Sequence, residues 1–164
     1  MMIDQAARHL IATALEEVSK GSGLWVGPAP TDADQGALPG TLTWRRESPA
    51  TLLAAPWRQR HDIAIAWLSA DLPQADALHL LSSLRDLHAR RLLAFLPVAA
   101  WQARADGWQP DTLRALALQQ QARITQDEQE LEVWSYDIRT YKAVPDWLNP
   151  KFWANPENWN KYRW

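Results

Sequence analysis

Four tryptophans crowd the last twenty residues, PDWLNPKFWANPENWNKYRW; Trp147, Trp153 and Trp159 recur every six positions, and Trp164 closes the run. Indoles offer two kinds of chemistry. They bury large apolar area while giving the N–H a partner, or they anchor binding hot spots in the company of Tyr and Arg. The other chemically capable groups are scattered. His9, His61, His79 and His88 show no recognised metal-ligand spacing and no carboxylate completes a set, so solvated or capping histidines are expected rather than a metal site. His88, close to the end of a helix, suits the negative end of its dipole. Arg45, Arg46, Arg58 and Arg60 could gather as an anion patch or pair with acids at element edges. Asp71, just before Pro73, suits a helix N-terminus and is the most capable acid. No residue is nominated as catalytic. Cysteine is absent, which excludes disulfides, thiolate chemistry and Cys-based metal centres and fits a reducing compartment. Neither a G-x-S-x-G elbow nor a G-x-x-x-x-G-K loop occurs.

The elements that must position these groups are legible from periodicity. Ile3, Ala7, Leu10, Ile11, Ala14, Leu15 and Val18 recur at helical spacing, with Gly21 placed to end the helix. LWVG at 24–27 reads as a short strand, followed by a Pro- and Gly-rich loop to Gly40. TLTWR at 41–45 alternates as a strand does, and Ser48 with Pro49 offers an N-cap and a first helical position. Ile63 to Leu68 and Leu92 to Val98 are continuously apolar, and Leu78, Leu81, Leu84 and Leu87 between them repeat at helical spacing. Such strand, helix, strand patterning predicts parallel neighbours buried on both faces. Pro110 to Leu118 reads as helix, and QQARITQDEQELEVWSYDIRTY as a hairpin turning at Gln126 to Gln129. The expected fold is therefore α/β: a three-layer, Rossmann-like, mainly parallel sheet with a C-terminal antiparallel hairpin, over residues 1–144, and a Trp-rich strap or arm at 145–164.

A chain of 164 residues supports one core, hiding roughly 70% of its extended surface. A net charge of −2 and a sequence pI near 6.1 argue against general nucleic-acid binding. No basic run followed by an unbroken apolar stretch opens the chain, and no window has the roughly 18 apolar residues of a membrane span. A soluble, cytoplasmic protein is the expectation.

The order of elements over residues 3 to 142 resembles a pared-down class I methyltransferase fold. The ending VPDWLNPKFWANPENWNKYRW resembles a small family of uncharacterised bacterial proteins known only as a domain of unknown function. The first resemblance implies S-adenosylmethionine in a glycine-rich turn after the first strand and an acid clamping its ribose after the second. In LWVGPAP, Trp25 stands where an acid would be expected, Gly27 matches the first glycine, and Ala29 takes the place of the next. Pro28 and Pro30 fix φ and remove two N–H donors. After the second strand, Trp44, Arg45 and Arg46 precede the first acid, Glu47. Since open α/β sheets bind ligands beyond the carboxyl ends of their strands, a surviving cofactor site would include Gly27, Pro28, Ser69, Asp71 and Pro97, with Gly27, Ser69 and Asp71 as the binding candidates.

Asn149-Pro150 and Asn155-Pro156 would start two short helical turns; an extended polyproline course would instead stripe Trp147, Trp153 and Trp159 along one side. The leading functional expectation is a non-catalytic interaction protein on a degenerate methyltransferase-like scaffold, without a cofactor. Its protein partner or second copy would meet Trp147, Trp153, Trp159 and Trp164. Two alternatives stand beside it: a methyltransferase with an atypical cofactor loop, and a binder of single-stranded nucleic acid or glycan through stacked indoles.

Overall fold

The computed structural model describes residues 2–18, 20–35, 38, 40–54, 59–104, 108–109 and 111–139. The tail at 145–164, with its four tryptophans, lies outside them, as does Arg58. The chain opens with α1 (Gln5–Leu15), which buries Ala7, Ile11 and Leu15 along one stripe. Gly21 does not end this helix but begins β1 (Gly21–Val26) at φ 125°. The stretch expected to be loop contains one helical turn, α2 (Asp32–Gln35). β2 (Leu42–Glu47) follows, then α3 (Pro49–Ala54), where the Ser48 hydroxyl accepts the Thr51 N–H at 3.1 Å as an N-cap does.

β3 (Ile63–Trp67) and β4 (Arg91–Leu96) flank α4 (Gln74–Ser83), which runs on into a π-helical turn at Leu84–His88. Beyond β4 come α5 (Val98–Gln102) and α6 (Thr112–Ala115), a single turn where the sequence suggested a longer helix. The hairpin of β5 (Gln119–Gln126) and β6 (Gln129–Asp137) closes the described chain. Its two-residue turn, Asp127 and Glu128, sits at φ 50° and 64°, the left-handed pair that matches the twist of the flanking strands.

The six strands form one sheet in the order β2-β1-β3-β4-β6-β5. The first four are parallel and the last two join antiparallel, as the sequence predicted. The middle strands are buried on both faces, and their side chains are sorted by size. β3 reads Ile-Ala-Ile-Ala-Trp: Ala64 and Ala66, with Ala94 of β4, face α4 and the π turn, where Ala77, Leu80, Leu81 and Leu84 press onto the sheet. Ile63, Ile65 and Trp67, with Trp25, Leu93 and Phe95, face α1. Three alanines at the centre of the sheet thus lie under the crowded layer, while Trp25, Trp67 and Phe95 lie where one long helix provides the cover. On that side the Trp67 and Phe95 rings stack at 4.0 Å with planes 1° apart, and Trp25 lies 6.4 Å from Trp67.

The segment before α1 is clasped from two directions. Buried Asp34 accepts the Ile3 N–H at 2.9 Å and the Thr31 hydroxyl at 2.6 Å and ion-pairs with Arg8. Gln126 accepts the Asp4 N–H at 2.8 Å and donates to the Met2 carbonyl. The Thr31 hydroxyl leads the groups that hold Asp34 below its ordinary pKa of 3.8, with the Ile3 N–H and Arg8 assisting and burial opposing. A carboxylate whose folded pKa is depressed stabilises the fold above its unfolded value, and this contribution is lost as pH falls through the folded value. Asp34→Asn should therefore lower the melting temperature at neutral pH, with a difference that narrows as pH drops below 3.8. Calorimetric melting curves across that range check this; a difference independent of pH would remove Asp34 from this role.

Candidate functional site

The chain leaves β1 toward β2 on one side and then takes up β3 on the other. The carboxyl ends of β1 and β3 therefore flank the switch point where an α/β sheet offers its ligand crevice. Gly27 stands on one lip, and Ser69 and Asp71 stand on the other. Gly27 holds φ at 120°, and its N–H donates to the Glu47 carbonyl at 3.1 Å. A Cβ added there would come within 2.5 Å of the Trp67 carbonyl oxygen, so close approach of the end of β3 already demands a glycine. The exposed Ser69 hydroxyl accepts the Asp71 N–H at 3.2 Å. Asp71 itself is exposed and three residues short of α4, whose N-cap is Pro73, with no side-chain cap bond.

Two indoles fasten these lips. Trp25, fully buried beneath its loop, donates Nε1–H to the Pro28 carbonyl at 2.8 Å. Trp101 of α5, also fully buried, donates to the Ser69 carbonyl at 3.2 Å and stacks on Trp108 at 4.7 Å. Arg104 adds bonds to the Ala70 and Leu72 carbonyls at 3.0 and 2.9 Å. The place where the methyltransferase resemblance implies an acid is thus filled by an aromatic ring that holds the loop. Glu47, in contrast, is the last residue of β2 rather than a residue beyond it, opposite Val26 and next to Gly27. Its carboxylate accepts from Arg45 at 2.6 Å.

At the same carboxyl edge, Glu132 of β6 pairs with Leu96 and lines a cleft of about 180 Å³ with Gln102, Trp108, Gln120 and Trp134. Leu131 and Val133 face α1, so strand alternation turns Glu132 and Trp134 toward α5. Burial pushes the Glu132 carboxyl above its ordinary pKa of 4.5, while Arg123, 3.9 Å away, pulls it down. Gln120 donates to its Oε1 at 2.9 Å. The Trp134 Nε1–H is buried without a hydrogen-bond partner among the described residues, and the Arg114 guanidinium lies 6.0 Å from its ring centroid. Sequence reading missed Glu132 because GlnGluLeuGluVal alternates like a strand with one solvated face, and only the position of α5 shows that this face is covered.

The remaining candidates are scattered by the fold. His61 and His88 meet, since the His61 N–H donates to the His88 carbonyl at 2.7 Å, and both side chains are buried. Burial first and Arg45 second depress both below 6.5, so neither is the solvated or dipole-capping cation expected. A buried imidazole sheds its proton. Arg45 pairs with Glu47, and Arg60 donates to the Asp86 carbonyl. Among the described residues no group of three or more His, Asp or Glu could hold a metal, and no helix is long and apolar enough to cross a membrane.

The chain belongs to the family of unknown function DUF6231, whose model matches residues 5–164. No curated protein matches it. Among solved structures it is similar to the magnesium protoporphyrin IX methyltransferase ChlM of Synechocystis PCC 6803 with bound SAM. The identity is 12% and the TM-score 0.48, over 78% of this chain and 77% of that one. It is also similar to the 1,6-didemethyltoxoflavin-N1-methyltransferase of Burkholderia thailandensis, at 11% identity and TM-score 0.47 over 80% and 78% of the two chains.

Two substitutions probe this edge. Gly27→Ala must either bring its methyl against the Trp67 carbonyl or move the lip, and should cost about 1 to 3 kcal/mol in urea unfolding; an unchanged midpoint would mean the lips are not in contact. For Glu132 the unfolded chain ionises near 4.5 while the folded chain keeps its proton to higher pH, so the fold loses stability as pH rises through that interval. Glu132→Gln, which keeps the acceptor for Gln120, should melt higher than the parent at pH 7 and equal to it below 4.5.

Proposed function

We propose that this member of a family of unknown function is a non-catalytic interaction protein built on a methyltransferase-like α/β scaffold. The observation that carries the reading is the fastening of the switch-point lips. Gly27 backs onto the Trp67 carbonyl, Trp25 and Trp101 tie the two loops from beneath, and Pro28 and Pro30 remove two N–H donors from the loop where a bound cofactor would use them. The binding surface in this reading is the arm at 145–164, through Trp147, Trp153, Trp159 and Trp164, and its occupant is a protein surface or a second copy of the chain. The absence of cysteine accords with a cytoplasmic setting.

A second reading rests on Glu47. An acid at the end of β2 beside Gly27 has the placement of a ribose clamp, and release from Arg45, an exposed pair worth at most about 1 kcal/mol, would free it for an S-adenosylmethionine-dependent methyltransferase with an atypical loop.

Calorimetric titration with S-adenosylmethionine and S-adenosylhomocysteine separates the two. The interaction reading expects no heat from folded protein, together with a defined partner or self-association in sedimentation that is lost when Trp147, Trp153 and Trp159 are changed to alanine. Saturable micromolar binding that Glu47→Ala abolishes would transfer the protein to the enzymes. A strict monomer that retains no partner would sink the first reading.

A further inference from the structure

The opposite edge of the sheet, away from the switch point, carries a larger cavity of about 630 Å³. Lys20 reaches it from beyond α1, Arg60 and Asp62 from just ahead of β3, Arg90 and Arg91 from the start of β4, and Asp137 and Arg139 from the end of β6. Antiparallel pairing brings the last two groups together, since Arg91 stands opposite Asp137. Five cations and three carboxylates, Glu17 included, line the space.

The carboxylates are already engaged. Glu17 accepts Arg91 at 2.8 Å and Arg139 at 3.2 Å, and Asp137 accepts the same two at 3.5 and 3.1 Å. Asp62 accepts the Ser22 N–H at 2.9 Å. This network holds Arg91 and Arg139 in place and balances Glu17 and Asp137, so that Asp62 alone stands against Lys20, Arg60 and Arg90 in the lining. Among the described residues, Arg60 donates to the neutral carbonyl of Asp86. Among the described residues, no carboxylate lies within ion-pair reach of Lys20 or Arg90. The carboxyl end of α1 supplies about half a negative charge nearby, which leaves the cavity positive.

We infer that this amino-edge cavity binds a small ligand bearing two or more phosphate groups. Lys20, Arg60 and Arg90 come from three different elements, and a single carboxylate would neutralise one of them, whereas linked phosphates answer all three. Guanidinium forks match phosphate oxygens in pairs, and the volume lies within the roughly 300 to 1,000 Å³ range of small-molecule sites. Val18 and Ile138 add an apolar wall against which a nucleoside could lie. The site is independent of the interaction reading and of any cofactor at the carboxyl edge.

The test is calorimetric titration of the full chain with inorganic tripolyphosphate and, separately, with ATP, each at low and raised salt. The site predicts saturable binding that weakens with salt and falls about tenfold in each of Lys20→Ala and Arg90→Ala, the loss expected of one charge-assisted contact. Both side chains are exposed, and circular dichroism should show both variants folded. Asp76→Ala, in the first turn of α4 and outside both sites, should leave binding unchanged. Equal affinity for the two probes assigns an inorganic polyphosphate; tighter binding of ATP assigns a nucleotide. No saturable heat with either probe, or binding indifferent to Lys20→Ala and Arg90→Ala, overturns the inference.

Discussion

Three adjacent strands, β1, β3 and β4, are hydrogen-bonded to neighbours on both sides and apolar on both faces, and a chain of this length must cover them twice. α3 to α6 all lie on one face, and α1 is the long helix on the other. The solution is compositional. Alanine at 64, 66 and 94 lets the crowded layer descend onto the sheet, and Trp25, Trp67 and Phe95 thicken the thinly covered face. A buried indole removes ~150 to 250 Å² from water, about 4 to 6 kcal/mol of transfer free energy, so two tryptophans on that face stand in for part of a missing helix.

One of these indoles, Trp25, together with Trp101 on the other face, then sets the character of the carboxyl edge. Trp25 is large enough to reach from the sheet to its own loop, and its N–H finds the Pro28 carbonyl. Trp101 does the same for the loop after β3. Polar tips on apolar bodies make tryptophan suited to this, because an indole that covers the core can also satisfy a loop carbonyl that would otherwise need water or a ligand. Core cover and closed lips are two results of one choice of residue.

What the sequence disclosed and what it hid divide along range. β3, β4, α4 and the hairpin turn were legible because their signals are local: unbroken apolar runs, leucines at helical spacing, polar residues at the turn. Gly21 was misassigned because a glycine after a helix resembles a C-cap as much as a strand start. α2 was unreadable, since its single turn is held by Asp34 bonds to Thr31, Ile3 and Arg8, two of them far away in sequence. Glu132 and the amino-edge cations were hidden for a similar reason. Their surroundings are assembled from elements as much as 119 residues apart, from Lys20 to Arg139. Gly27, Ser69 and Asp71 lie beyond the carboxyl ends of neighbouring strands, a placement that needs only the strand order.

The sheet's two borders carry a last implication. β2 presents Arg45, Arg46 and Glu47, and β5 presents Gln119, Gln120, Gln121 and Arg123 with a register shift between Gln120 and Ala122. Charged, bulged borders resist the addition of another strand. Docking by backbone extension, one way for a β protein to adhere to another, is thereby discouraged along both borders of the described sheet.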